Sequence, residues 1–121
     1  MEPAGCMIYG FNQNSAEQVK AAFELAVDRE VIIISASAME EKTVSDVLDA
    51  GPRDLFEEKD QGFLMFLGFD QEMVQSAMKA FPDGLSRPIF CGLTENNSTW
   101  TIAFLLEHLI EEKTHWEKKK S

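Results

Sequence analysis

Basic residues are the first shortage: 11 Lys+Arg stand against 21 Asp+Glu in 121 residues, a formal net charge of −10. Binding to nucleic acid rests on Lys and Arg neutralising phosphates, and binding to anionic membranes rests on the same residues, so both partners are excluded as expectations. Cysteine is scarce too. Only Cys6 and Cys91 occur, each inside an apolar run and without metal-type spacing, which suits small buried hydrophobes in a reducing compartment. No apolar run approaches the roughly 18 residues a membrane span needs. Met1 to Gly5 has neither a basic start nor an apolar core, so no leader peptide is expected and the expected setting is the cytoplasm. Also missing are a glycine-rich phosphate loop and a calcium-loop spacing among Glu40, Glu41, Asp54, Glu57, Glu58 and Asp60. We expect no cofactor and no metal.

What is present is a repeat. Gly10-Phe11-Asn12-Gln13 recurs as Gly68-Phe69-Asp70-Gln71, 58 positions later. The same offset aligns Met7 with Met65, Ala22 with Ala80, Phe23 with Phe81, Arg29 with Arg87, Thr43 with Thr101 and Leu48 with Leu106. Each motif closes an apolar run and opens a helical pattern. The register implies an internal duplication, with repeats at about 5–50 and 63–108 joined by a linker, 51–62, within one domain spanning 1–121.

The chain alternates strand and helix. Cys6 to Tyr9, Val31 to Ile34, Phe63 to Leu67 and Pro88 to Leu93 read as strands; the second is continuous and β-branched, as expected where both faces are covered. Asn14 or Ser15 is the expected cap of the first helix, with Ala16, Val19, Phe23 and Ala26 on its apolar face. Ser37 and Glu40 have capping-box spacing ahead of a helix carrying Val44, Val47 and Leu48, which Gly51-Pro52 stops. The acidic linker is expected to face solvent, with Leu55 and Phe56 in a short helical turn. Asp70 is the expected cap of the third helix, with Val74, Ala77, Met78 and Phe81 inward, and the last helix is placed at about Thr99 to Glu117, its three lysines Lys118–Lys120 favourable at a carboxyl terminus. The fold class is α/β: a duplicated β-α-β-α unit giving a four-stranded, mostly parallel sheet of order 2-1-3-4 with helices on both faces. The alternative is an α+β ferredoxin-like sandwich, which places strand after strand where Ser37 to Ala50 reads as helix.

Two clusters draw functional attention. If the two motif strands lie side by side and parallel, Asn12, Asp70, Thr94, Asn96 and Asn97 share the carboxyl edge of the sheet, where α/β folds collect ligands. The competing reading is structural: glycine makes the tight exit and Asn or Asp caps the helix. A cysteine nucleophile needs a base within reach, yet Cys91 lies in a strand and His108 and His115 far down the last helix, so we assign no catalytic residue. On the last helix, Ile102, Leu105, Leu106 and Leu109 form the inward stripe, while Trp100 and Phe104 stack on the opposite side. Two aromatics on a solvated face point to a contact surface. The expected function is a non-catalytic interaction or self-association module, with the chain itself (a homodimer) or another protein as partner. The alternative is a regulatory domain binding a small ligand at the polar edge.

From Phe63 to Glu112 the chain resembles a bacterial family described as domain of unknown function 3783. The carrying residues are Gly68-Phe69-Asp70, the run Pro88 to Thr94, and Asn97, Trp100 and Thr101 opening a helix that continues Leu105-Leu106-Glu107-His108-Leu109. The first half departs from this pattern: Lys42 stands at the matched position of Trp100 and Met39 at that of Asn97. The resemblance implies a small bacterial protein with no assigned activity.

Overall fold

A computed structural model describes residues 4–120, with side chains described through His115. The side chains of Lys118–Lys120 lie outside the described ones. The elements run β1 (Ala4–Tyr9), α1 (Gln13–Val27), β2 (Val31–Ser35), α2 (Val44–Ala50), β3 (Phe63–Leu67), α3 (Gln71–Ala80), β4 (Ile89–Gly92), a 3-10 turn (Asn97–Thr99) and α4 (Ile102–Lys120). The four strands make one sheet of order β2-β1-β3-β4. β1 pairs β2 and β3 pairs β4 in parallel, so the sheet is mostly parallel as expected.

The central pair differs from expectation. β1 and β3 are antiparallel, with Met7 opposite Met65 and Tyr9 opposite Phe63. The reason lies between β2 and β3. At seven residues, α2 spans only about 10 Å, too short to return the chain to the amino-terminal end of the sheet. Residues 53–59 then stay at the carboxyl end of β1 and β2, tied by hydrogen bonds to Gly10, Ser35 and Ser37. β3 therefore starts beside the end of β1 and must run the other way. The two segments cross tightly there: a side chain on Gly62 would collide with the Tyr9 carbonyl oxygen, and Gly10 turns out of β1 at a φ of 89°.

Strand alternation divides the core into two layers. Cys6, Ile8, Leu64 and Phe66 face α1 and α3, meeting Val19, Phe23, Ala77 and Phe81. Met7, Tyr9, Phe63 and Met65 face α2 and α4, meeting Val44, Val47, Ile102, Leu105 and Leu109. Each buried phenyl contributes about 1.5–3 kcal/mol. Phe23 stacks on Phe66 at 6.1 Å between ring centroids, and Phe81 meets Phe90 edge-on at 5.7 Å.

Several matched residues meet each other across the middle of the molecule. Met7 pairs with Met65, and Thr43 forms a bridge with Thr101. Around that bridge, Val44 N donates to Trp100 O and Ile102 N donates to Lys42 O, both at 2.9 Å. One offset is not kept throughout. Met7 pairs with Ile34 and Met65 with Cys91, so β2 and β4 correspond at one position fewer than 58. In space Ser35 corresponds to Gly92 and Ile33 to Phe90, and the sequence match of Val31 with Ile89 is off by one strand position.

Helix starts differ from expectation in detail. Asn12, not Asn14 or Ser15, caps α1 by accepting from Ser15 N at 2.8 Å. Asp70 caps α3 as expected, accepting from Met73 N at 2.8 Å. α2 begins at Thr43, whose hydroxyl and the Asp46 carboxylate form the capping box. Ser37 and Glu40 are used elsewhere: Ser37 Oγ accepts from Glu57 N, and Glu40 accepts from Tyr9 Oη at 2.7 Å. Residues 51–61 hold no helical turn; Phe56 packs into the α1–α3 layer while Leu55 stays exposed.

Candidate functional site

Antiparallel pairing separates the polar edge. The Gly10 exit lies at one end of the sheet and the Gly68 exit at the other, because Tyr9 pairs with Phe63 and Gly5 with Leu67. Asn12 is therefore apart from Asp70, Thr94, Asn96 and Asn97, and the five do not converge. Their polar atoms are largely occupied by capping. Asn12 Oδ1 holds the α1 amide while its Nδ2 donates to Glu58 at 3.1 Å. Asp70 holds an α3 amide. Asn97 is buried and fully used: Oδ1 accepts from Thr94 N, Nδ2 donates to Gly92 O, and its own amide donates to Thr94 Oγ1, all at 2.9–3.0 Å. Asn96 is exposed, and its carbonyl accepts from the Thr99 hydroxyl. These residues shape the β4–α4 connection.

The thiols are held away from nucleophilic chemistry. Burial pushes both Cys6 and Cys91 up to about 12, with Glu112 adding to the effect at Cys91. At neutral pH neither offers a thiolate. His108 pairs instead with Glu112 at 2.9 Å on the surface of α4. Among the described residues, no group of three or more His, Cys, Asp and Glu could hold a metal ion, and no helix is long and apolar enough to cross a membrane.

Trp100 and Phe104 do come together. Ile102, Leu105 and Leu109 are buried against the sheet as the inward stripe requires, with Leu106 at its margin. On the other side of α4, the Trp100 and Phe104 rings meet edge-on at 4.9 Å. His108 extends the cluster, 4.8 Å from Trp100 and 6.4 Å from Phe104. The two aromatics differ in burial. Trp100 is half-buried against the α2–α4 core, whereas Phe104 is 49% exposed. The Trp100 carbonyl is fixed by Val44 N and its amide by Asn97 O, so the ring stands on an anchored backbone. From sequence, His108 was weighed only as a base for Cys91 and was not placed with the aromatics; the i, i+4, i+8 spacing from Trp100 was the available signal.

A second surface was also missed. An apolar groove of about 620 Å³ opens between α3 and the carboxyl ends of β3 and β4, walled by Phe66, Val74, Met78, Phe90 and Leu93. Its residues come from three consecutive elements, β3, α3 and β4, and the groove between them is set by tertiary packing, so no single periodic pattern marks it.

Residues 62–115 match a family model described as Domain of unknown function (DUF3783), a segment that begins at β3 and ends within α4. No curated protein and no solved structure matches the chain.

Proposed function

We propose that this protein is a non-catalytic interaction module working through the start of α4, where Trp100, Phe104 and His108 join it to a second copy of the chain. The observation that carries this reading is the exposed Phe104 ring set on the anchored Trp100. Aromatics presented on a rigid element, without the entropy cost of ordering a loop, are what interface centres use. Glu107 and Glu111 follow on the same side of α4, and such polar neighbours form a rim around an apolar centre. The raised thiols are compatible with a non-catalytic role. In this reading the two halves descend from one duplicated unit, the second having gained a longer helix to carry the contact, and the setting is the cytoplasm.

Sedimentation of the wild type and Phe104→Lys at tens of micromolar tests the proposal. Phe104 is exposed, so this substitution leaves the fold intact. Loss of a central aromatic should weaken association by roughly 30-fold, about 2 kcal/mol. A wild type that sediments as a folded monomer at those concentrations would sink self-association through this face.

A further inference from the structure

The strap at residues 53–59 shows how this chain covers the carboxyl end of its first two strands. Arg53 Nη1 donates to Ser37 O, the Ser35 hydroxyl donates to Leu55 O, Glu57 N donates to Ser37 Oγ, and Lys59 N donates to Gly10 O. Between these ties Phe56 reaches the α1–α3 layer of the core, beside Ala16, Lys20 and Ile33. Strand pairing and helix register place each of these positions in the second half. Gly10 corresponds to Gly68, Ala16 to Val74, Lys20 to Met78, Ile33 to Phe90 and Ser35 to Gly92. All five counterparts line the open groove.

The groove is thus the counterpart of the strap's seat, with no strap on it. Two local differences account for this. α2 stops at Gly51-Pro52 and releases the chain back over the sheet, while α4 continues past the matched positions, Leu109 and Ile110. The serine that holds the strap is replaced by Gly92, which has open space where a side chain would begin. The walls differ in chemistry as well. Beside the strap the first half keeps a groove of about 500 Å³ whose lining includes Glu17, Lys20 and Glu30, with Arg53 and Asp54 from the strap itself, whereas the ten residues lining the second-half groove include no acidic or basic side chain. Leu93, at its rim, is 44% exposed.

We propose that this groove binds an extended peptide segment of another protein, seating a large apolar side chain over Phe66, Val74, Met78 and Phe90 as Phe56 is seated in the first half. The occupant is extended because the strap is, and its inserted residue is apolar because nothing in the groove pairs with a charge. The chain's own strap is not the occupant, being tied by five hydrogen bonds to the first half, the fifth from Asn12 Nδ2 to Glu58. This surface lies on the α1–α3 side of the sheet, away from the α4 aromatics.

The experiment uses a capped synthetic peptide of residues 51–61 and the full chain, followed by amide chemical shifts. Saturable shifts are expected at Phe69, Val74, Phe90 and Leu93. The Phe56→Ala peptide should bind at least about tenfold more weakly. Gly92→Trp fills the groove from a position with free space, so its thermal midpoint should match the wild type while peptide binding is lost. Phe104→Lys should bind the peptide normally, which separates this site from the α4 contact. The proposal is overturned if no saturable shifts occur at millimolar peptide, or if they persist in Gly92→Trp, the mark of exchange with the native strap. It is overturned too if Gly92→Trp abolishes self-association without the wild type binding peptide, since a second copy then fills the groove.

Discussion

At the carboxyl end of β1 and β2 the chain lays residues 53–59 over its own core, whereas at the carboxyl end of β3 and β4 the matching surface is bare. Each region is a parallel strand pair with a glycine exit of positive φ and an Asx-capped helix. They part first at one dipeptide. Gly51 leaves α2 at a φ of 73° and Pro52 follows, so the first half folds its chain end inward. The second half keeps Leu109 and Ile110 in a helix and spends its chain on α4. The same strand–helix plan thus yields one half crossed by its own strap and one half without a strap, and the second half carries both candidate contact surfaces.

The deepest test of this comparison asks whether the halves are equal in their cores. Phe23 lies in the middle of α1 with no exposure, and Phe81 is the residue that ends α3, 5% exposed. Both sit in the same layer, so Phe23→Ala and Phe81→Ala should each cost about 3–5 kcal/mol. Against a typical total of about 5–15 kcal/mol, either variant is left marginal. Urea unfolding measures this. A Phe81→Ala loss below about 1 kcal/mol would make the second half a loosely packed appendage rather than an equal partner.

Much of this layout was legible in the sequence. Strand–helix alternation with a 58-residue register fixes which strands are central, and the spacing of Ala16, Val19 and Phe23 identifies the buried face of α1. The antiparallel centre was not legible, because it follows from where residues 53–59 come to rest. That depends on Ser35 and Ser37, whose hydroxyls look like ordinary strand-end residues until Leu55 and Glu57 meet them. The one-position slip between β2 and β4 was hidden by the similarity of Val31 and Ile89. Trp100 and Phe104 were found because a helix puts residues four apart on one side. The groove beside β4 was not, because it is defined by what fails to cover it.

The tie between Tyr9 and Glu40 exists only in the first half; Leu67 stands at the matched position of Tyr9. Burial first, and then the hydrogen bond to Glu40, raise Tyr9 from 10.0 to about 12, and the same bond lowers Glu40 from 4.5. A raised folded-state value means its stabilisation is whole below pH 10 and is lost as pH climbs through about 12. A lowered one means Glu40 stabilises above pH 4.5, and that contribution falls away as pH drops below it. Glu24, lowered by Val31 N and Lys20, adds to the acid limb, and Cys6 adds to the alkaline one from pH 9 upward. Urea midpoints should therefore decline on both sides of neutrality. Tyr9→Phe should flatten both limbs in part, leaving the contributions of Cys6, Cys91 and Glu24. Identical pH profiles for wild type and Tyr9→Phe would show that this bond does not distinguish the halves.

The finest comparison is between the two threonines that face each other at the centre of the α2–α4 side. Each opens a helix with its hydroxyl: Thr43 Oγ1 accepts from Asp46 N and Thr101 Oγ1 accepts from Phe104 N, both at 3.1 Å. Only Thr43 receives a return bond, since Asp46 Oδ2 accepts from Thr43 N at 3.2 Å, whereas Phe104 has nothing to offer Thr101. Losing an N-cap hydroxyl costs about 1 kcal/mol, and in Thr43→Ala the Asp46 carboxylate loses its partner geometry as well. Thr43→Ala should thus exceed Thr101→Ala by a few tenths of a kcal/mol. The backbone bonds across the bridge survive in both alanines, so the difference isolates the capping box. Asp46→Ala should bring the two threonine substitutions level, because it removes the return bond that separates them. The two sites are close enough to couple, and the double alanine variant should depart from additivity by no more than about 0.5 kcal/mol if each threonine serves its own helix. A larger departure, or a costlier Thr101→Ala, would mean that the hydroxyls stabilise the junction between halves rather than the helix starts.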